Sequence, residues 1–246
     1  MTPRSAAPVC AGVDGCPAGW IAVTASDLAA PQVIVVADFA DLIEALGPHT
    51  IIAVDMPIGL PDRVGHGGRG PEALVRAFLG ARQSSVFSIP ARAAVEAEEY
   101  REACRLSLLS SDPPRKVSKQ AFHLFPKIRE IDRLLRDRPE LRGRIIECHP
   151  EFSFCVLNAM VPMATPKKIR GRVNPDGVAE RRRLLAAHGL SPDFLGQPPP
   201  RGAAADDFVD ACVNLLIARR HAAGLTRSWP SPPLSDRHGI AVAIHG

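Results

Sequence analysis

Short apolar runs rich in Val and Ile alternate with turn-forming stretches through this chain, and most have strand length rather than helix length. Residues 9–14, 20–24, 32–37, 50–55 and 144–148 read as five buried strands. Gly15-Cys16-Pro17-Ala18-Gly19 is a tight turn, so strands one to three form an antiparallel meander. Asp38 or Asp41 caps a short helix over 42–46, which Gly47-Pro48 ends. That helix is the crossover that lets strand four run parallel to strand one. Helical patterns follow at 71–81, 93–109 and 118–137 (with a kink expected at Pro126), then at 150–160, 176–188 and 205–223. Residues 57–70 read as a mobile glycine-rich loop, and the proline-rich tail closes in a short edge strand near 239–244. The expectation is an α/β protein with a five-stranded mixed sheet. Strands one to three are antiparallel, strands four and five run parallel to strand one, and helices cover both faces. Residues 1–246 form a single domain, with 57–142 a loop and helical insertion inside it.

Three of these runs end on acids. Val13 precedes Asp14, Val54 precedes Asp55, and Ile145-Ile146 precedes Glu147. Asp206-Asp207-Phe208-Val209-Asp210 opens the last helical pattern. Parallel strands share one carboxyl edge, where open α/β sheets place ligands. Carboxylates crowded there repel one another unless cations lie between them, and hard oxygen donors suit Mg²⁺ or Mn²⁺. Asp14, Asp55, Glu147, Asp207 and Asp210 are therefore the candidate metal ligands and catalytic residues. Asp14, on the central strand, would bridge two ions. Asp207 and Asp210 share a helical face with Asn214, while Phe208, Cys212, Leu215 and Leu216 form the opposite, apolar stripe. Competing structural readings are helix capping for Asp206, Asp207 and Asp210, with Asp206 as the cap itself, ordinary turn residues for Asp14 and Asp55, and an ion pair for Glu147 with Arg144 or another arginine.

The net charge of +4 leans mildly toward anionic partners. Six cysteines at irregular spacing, with no CxxC pair, argue against both a zinc site and a disulfide framework. The N-terminal stretch has no apolar core of signal-peptide length, and no apolar run approaches the ~20 residues that span a bilayer. The expectation is a cytoplasmic protein with no membrane contact, and homo-oligomerisation is left open.

Lys116, Lys119, His123 and Lys127 recur at helical spacing, a basic stripe suited to phosphates, set apart from the buried face of Phe122, Phe125 and Ile128. Arg82 and Arg92 flank a stretch containing Ser84 and Ser85, a combination suited to an anionic substrate group. A solvated helix face and helix-capping arginines are the structural alternatives. Residues 167–172 read as a flexible basic loop, either solvated or clamping a nucleic-acid backbone, and His66 and His149 as acid/base candidates, with a structural role favoured for His149. Aromatic residues are only 5%, so stacking platforms for single strands are poorly supplied.

The order of strands and helices resembles the ribonuclease H-like fold, and Asp207-Phe208-Val209-Asp210-Ala211 looks like the motif that opens the last helix of Holliday-junction resolvases with that fold. More closely, GVDGCPAGW, AVDMPIGLP, GARQSSVF with Pro90-Ala91-Arg92, KVSKQAF, ECHPEFSF and DDFVDA resemble the DUF429 family across residues 9–223. Members of that family are described as predicted ribonuclease H-like nucleases. The resemblance implies a Mg²⁺- or Mn²⁺-dependent nuclease acting on DNA or RNA. The alternatives are a non-catalytic nucleic-acid-binding or assembly module on the same scaffold, or an actin-like phosphotransferase. The last needs two such domains, which 246 residues scarcely allow.

Overall fold

Nearly continuous burial begins at Cys10, the first residue of a strand that runs two residues past Asp14. The computed structural model describes residues 8–246. In chain order its elements are β1 (Cys10–Cys16), β2 (Gly19–Ala25), β3 (Gln32–Val36), α1 (Phe39–Leu46) and β4 (Ile51–Val54). Next come α2 (Pro71–Arg76), α3 (Arg92–Glu96), α4 (Tyr100–Ser110), α5 (Lys119–Asp137), β5 (Ile145–Glu147) and α6 (Pro150–Leu157). A two-residue pair, β6 (Lys168–Ile169) and β7 (Arg172–Val173), precedes α7 (Pro175–Ala187), α8 (Pro192–Gly196) and α9 (Ala205–Ala222). The chain closes with β8 (Ser228–Ser235) and β9 (Ala241–His245). This is a mixed α/β protein, and all five core strands form. Among the described residues no helix is long and apolar enough to cross a membrane.

The chain makes two compact units, each from two segments. One holds the chain up to Asp55 together with Ala164–Thr226, and the other holds Met56–Met163 with Arg227–Gly246. In the first unit the strands run in the order β3-β2-β1-β4. β1 pairs antiparallel with β2, setting Asp14 opposite Ile21, and parallel with β4, setting Val13 beside Val54. Helix α9 lies directly on β1, because Gly12 has no side chain. A Cβ at Gly12 would stand 1.9 Å from the Leu215 nitrogen and 2.1 Å from the Ala211 oxygen. Only glycine permits that approach. The one-sided apolar stripe expected of α9 is not what forms: every residue from Phe208 to Ala218 is buried. Helices α7 and α8 cover the side turned from the strand, with Phe194 edge-on to Phe208 at 5.3 Å.

In the second unit α5 buries Phe125, Ile128, Ile131 and Leu135 at spacings of three and four, and it passes through Pro126 unbroken. Phe122 is only half-buried on that helix. Helices α3 and α4 replace one continuous helix over 93–109. The tail forms a hairpin of β8 and β9 rather than one edge strand, with Trp229 opposite Ile244. Its prolines mask β8 in the sequence, since they remove donors that an inner strand would need. The loop expected to be mobile is anchored instead. Ile58 and Leu60 are buried, their N–H groups donating to Glu147 Oε2 at 2.7 Å and Asp236 Oδ2 at 3.1 Å. Arg92, fully buried, holds Asp132 at 2.6 Å and Asp236 at 2.8 Å, tying α3, α5 and the tail together.

Candidate metal centre

Three acids of the first unit meet. Asp14 comes from β1, Asp55 follows the last residue of β4, and Asp210 lies in the second turn of α9. One carboxylate oxygen from each lies within 4.8 Å of the others. The backbone at Val13 fixes two of the three elements. Its carbonyl accepts the Asp55 N–H at 3.0 Å and the Asn214 Nδ2–H at 2.9 Å, so one oxygen joins β4 and α9 beside Asp14. Asp14 is itself oriented by the Gly15 N–H, which donates to its Oδ1 at 2.7 Å.

Asp14 and Asp210 are buried, and Asp55 is partly open. Burial raises the Asp14 carboxyl well above the usual carboxylate range, and Asp55, Asp210 and, less strongly, Asp207 push it further. Lys167 works against them. Each added negative charge in a desolvated cluster costs more than in water, and so favours a proton or a cation.

Lysines from β6 and the residue before it supply part of that counter-charge. Lys167 Nζ donates to Asp210 Oδ2, and Lys168 Nζ sits 2.5 Å from Asp206. The flexible basic loop expected here is thus a short hairpin whose lysines turn onto α9. Octahedral Mg²⁺ with ligands at 2.0–2.1 Å places neighbouring donor oxygens ~3 Å apart and opposite ones ~4.2 Å apart. The three aspartate oxygens, within 4.8 Å of one another, lie near that spacing. Asn214 Oδ1, buried and without a hydrogen-bond partner, is a further hard donor one turn along α9 from Asp210. The donor set is all oxygen and fits Mg²⁺ or Mn²⁺.

The other sequence candidates have different surroundings. Asp207 caps α9: its Oδ2 accepts the Ala204 N–H at 2.9 Å, the role expected of Asp206. Glu147 lies in the second unit, gripped by Arg69, with burial lifting its carboxyl to about 7 against the opposing charge of Arg69. Arg69 also donates from Nε to Glu72 at 2.7 Å and from Nη1 to the carbonyls of Ile58 and Gly59. Arg92 is committed to Asp132 and Asp236 and turned from solvent. Arg82 and Ser85 belong to one 3₁₀ turn, where the Ser85 hydroxyl donates to the Arg82 carbonyl at 2.8 Å. Ser84, Lys116 and Lys119 are exposed, and Lys127 is partly buried on α5. His149 Nε2 lies 3.3 Å from the Ser85 carbonyl, and His66 is exposed.

The sequence places Lys167 only in a basic loop, not beside Asp210, and marks neither Arg69 nor Asp236. Their partners lie 43, 78 and 144 residues away, and no local pattern marks them. One family model, described as "Protein of unknown function", matches residues 12–235. No curated protein and no solved structure matches the chain.

Proposed function

Because the chain belongs to the DUF429 family, whose description assigns no activity, we propose a function from the aspartate cluster: a divalent-metal-dependent phosphodiester hydrolase acting on DNA or RNA. The convergence of Asp14, Asp55 and Asp210 carries this reading, and the meander of β1 to β3 with parallel β4 agrees with a ribonuclease H-like scaffold. These three residues would hold Mg²⁺ or Mn²⁺. When bound, such an ion lowers the pKa of water and neutralises charge developing on phosphoryl oxygens. The chain's own residues do the rest. Gly15 keeps the Asp14 carboxylate in one orientation, Asn214 fixes α9 against the Val13 carbonyl, and partial burial limits water around the acids. Lys167, on Asp210, offers a cation to an incoming phosphate. Glu147 and Asp207, already committed to Arg69 and to the α9 cap, support the scaffold in this reading.

A second reading, a non-catalytic nucleic-acid-binding or assembly module, has one observation in its favour. The Lys167 ammonium already neutralises Asp210, as an internal cation would in a scaffold that needs no metal. Metal-loaded protein should be incubated with labelled single-stranded, duplex, hybrid and junction substrates beside Asp14→Asn. Cleavage by the wild type alone supports the hydrolase. Absence of cleavage of every substrate with both Mg²⁺ and Mn²⁺ overturns it in favour of the module.

A further inference from the structure

The second unit contains a cleft of about 450 Å³, within the ~300–1,000 Å³ typical of small-molecule sites. Its walls are the glycine-rich turn around Gly67 and Gly68, the stretch from Gln83 to Pro90, and the connection from the end of α4 into α5. Two segments singled out in the sequence, GARQSSVF and KVSKQAF, meet here, and the aspartate cluster uses neither.

The charge of the cleft is one-sided. Arg76, Arg115 and Lys116 line it, and no Asp or Glu occurs among its described lining residues. Arg76 is held in place, donating from Nε to the Val86 carbonyl at 3.0 Å, from Nη1 to the Gly67 carbonyl at 2.9 Å and from Nη2 to Ser88 Oγ at 2.7 Å. It therefore sets two walls and keeps its charge at the cleft. Glu72, which acts on Arg76 electrostatically, is paired with Arg69. Arg115 and Lys116 are exposed.

Helix α5 begins at the same place. Ser118 caps it, accepting the Ala121 N–H at 3.1 Å, and both Ser118 and Gln120 line the cleft. The first turn of this 19-residue helix carries no acid, so the positive end of its dipole is not neutralised by its own side chains. Ser88 accepts from Arg76 and keeps its hydroxyl proton for another acceptor. Beside these polar groups lie the half-buried ring of Phe87 and the apolar Ile89 and Val117.

Three cations, an uncompensated helix start and hydroxyl donors select a multiply charged oxyanion, while the apolar wall selects an organic body attached to it. We propose that this cleft binds a small phosphate monoester of mononucleotide size. The phosphate would be recognised by Arg115, Lys116 and the first turn of α5, and the organic part by Phe87. The cleft shares no residue with Asp14, Asp55 and Asp210, so the proposal stands or falls apart from the hydrolase reading.

Calorimetry on the full chain in EDTA, which removes divalent ions, tests it. The probes are AMP, ribose 5-phosphate and inorganic phosphate, with adenosine and ribose as unphosphorylated counterparts. The protein is the wild type or Arg115→Ala/Lys116→Ala, whose exposed side chains can be removed without loss of core. The expected result is that AMP or ribose 5-phosphate binds, adenosine and ribose do not, and the double variant weakens binding at least tenfold. Four results would each overturn the proposal: no binding of either ester, equal binding of the unphosphorylated compounds, inorganic phosphate matching the esters, or an undiminished affinity in a double variant that melts as the wild type does.

Discussion

Arg69 grips Glu147 through two hydrogen bonds, Nη2 to Oε1 at 2.6 Å and Nη1 to Oε2 at 3.1 Å, with both side chains buried. A carboxylate met by a planar guanidinium in this way has both oxygens engaged, and the Ile58 N–H adds a third bond. Replacing Arg69 with Met would leave Glu72 and Glu147 buried without their counter-charge. The expected loss is about 3–5 kcal/mol, measured by urea unfolding. A loss under ~1 kcal/mol would show that the pair contributes little to the second unit.

The same pair predicts a pH dependence. In the folded protein Glu147 takes up its proton near 7, whereas in the unfolded chain it does so near ~4.3. Between these values the folded state binds more protons, so the stability contributed by Glu147 is complete below the lower value and is lost as pH rises through the upper one. Wild type should therefore lose stability relative to Glu147→Gln between roughly pH 4 and pH 7. Parallel stability curves for the two proteins would contradict the raised value.

Asp14→Asn should abolish divalent-metal stabilisation and leave the metal-free protein folded, more stable by on the order of 0.5–2 kcal/mol. Burial and the charges of Asp55 and Asp210 raise the Asp14 carboxyl, and asparagine removes one charge from that crowd. Thermal melts with and without Mn²⁺ read both effects. A variant several kcal/mol less stable without metal would identify Asp14 as structural.

Lys167→Met removes the cation paired with Asp210. The metal-free protein should lose about 1–2 kcal/mol, less than a fully buried pair because Lys167 is partly exposed. Affinity for Mn²⁺ should rise several-fold, because the ammonium no longer competes for the same oxygen. Weakened metal binding would mean that Lys167 shapes the site rather than competing with the ion.

Asp210→Asn should lower phosphodiester cleavage at least ~10²-fold while binding of substrate in Ca²⁺ stays near wild type, since the ligand's effect falls on the transition state. Gel-based cleavage and filter binding separate the two. Cleavage that persists both here and in Asp14→Asn would point to chemistry elsewhere.

Gly12→Ala should destabilise the first unit by roughly 3 kcal/mol or more, because its methyl group would collide with the α9 backbone at Leu215 and Ala211. Chemical denaturation measures the loss. A neutral effect would require α9 to shift, and with it Asp210 relative to Asp14.

The sequence by itself determined what depends on local pattern. Runs of Val and Ile specify β1, β2, β3, β4 and β5, spacings of three and four specify the buried face of α5, and strand-end acids mark Asp14 and Asp55. It did not reveal β8, whose prolines read as loop, or the break between α3 and α4. Tertiary structure alone decided the rest. The distance within which Asp14, Asp55 and Asp210 meet depends on Gly12 admitting the α9 backbone, a fact of two elements about 200 residues apart in sequence. The complete burial of α9 comes from its being packed by β1, β2 and β4 on one side and by α7 and Phe194 of α8 on another. Which acid finds which cation was equally hidden. Glu147 pairs with Arg69 and Asp210 with Lys167 because desolvated charges must be matched wherever the fold brings them together, and periodicity carries no record of partners so far apart.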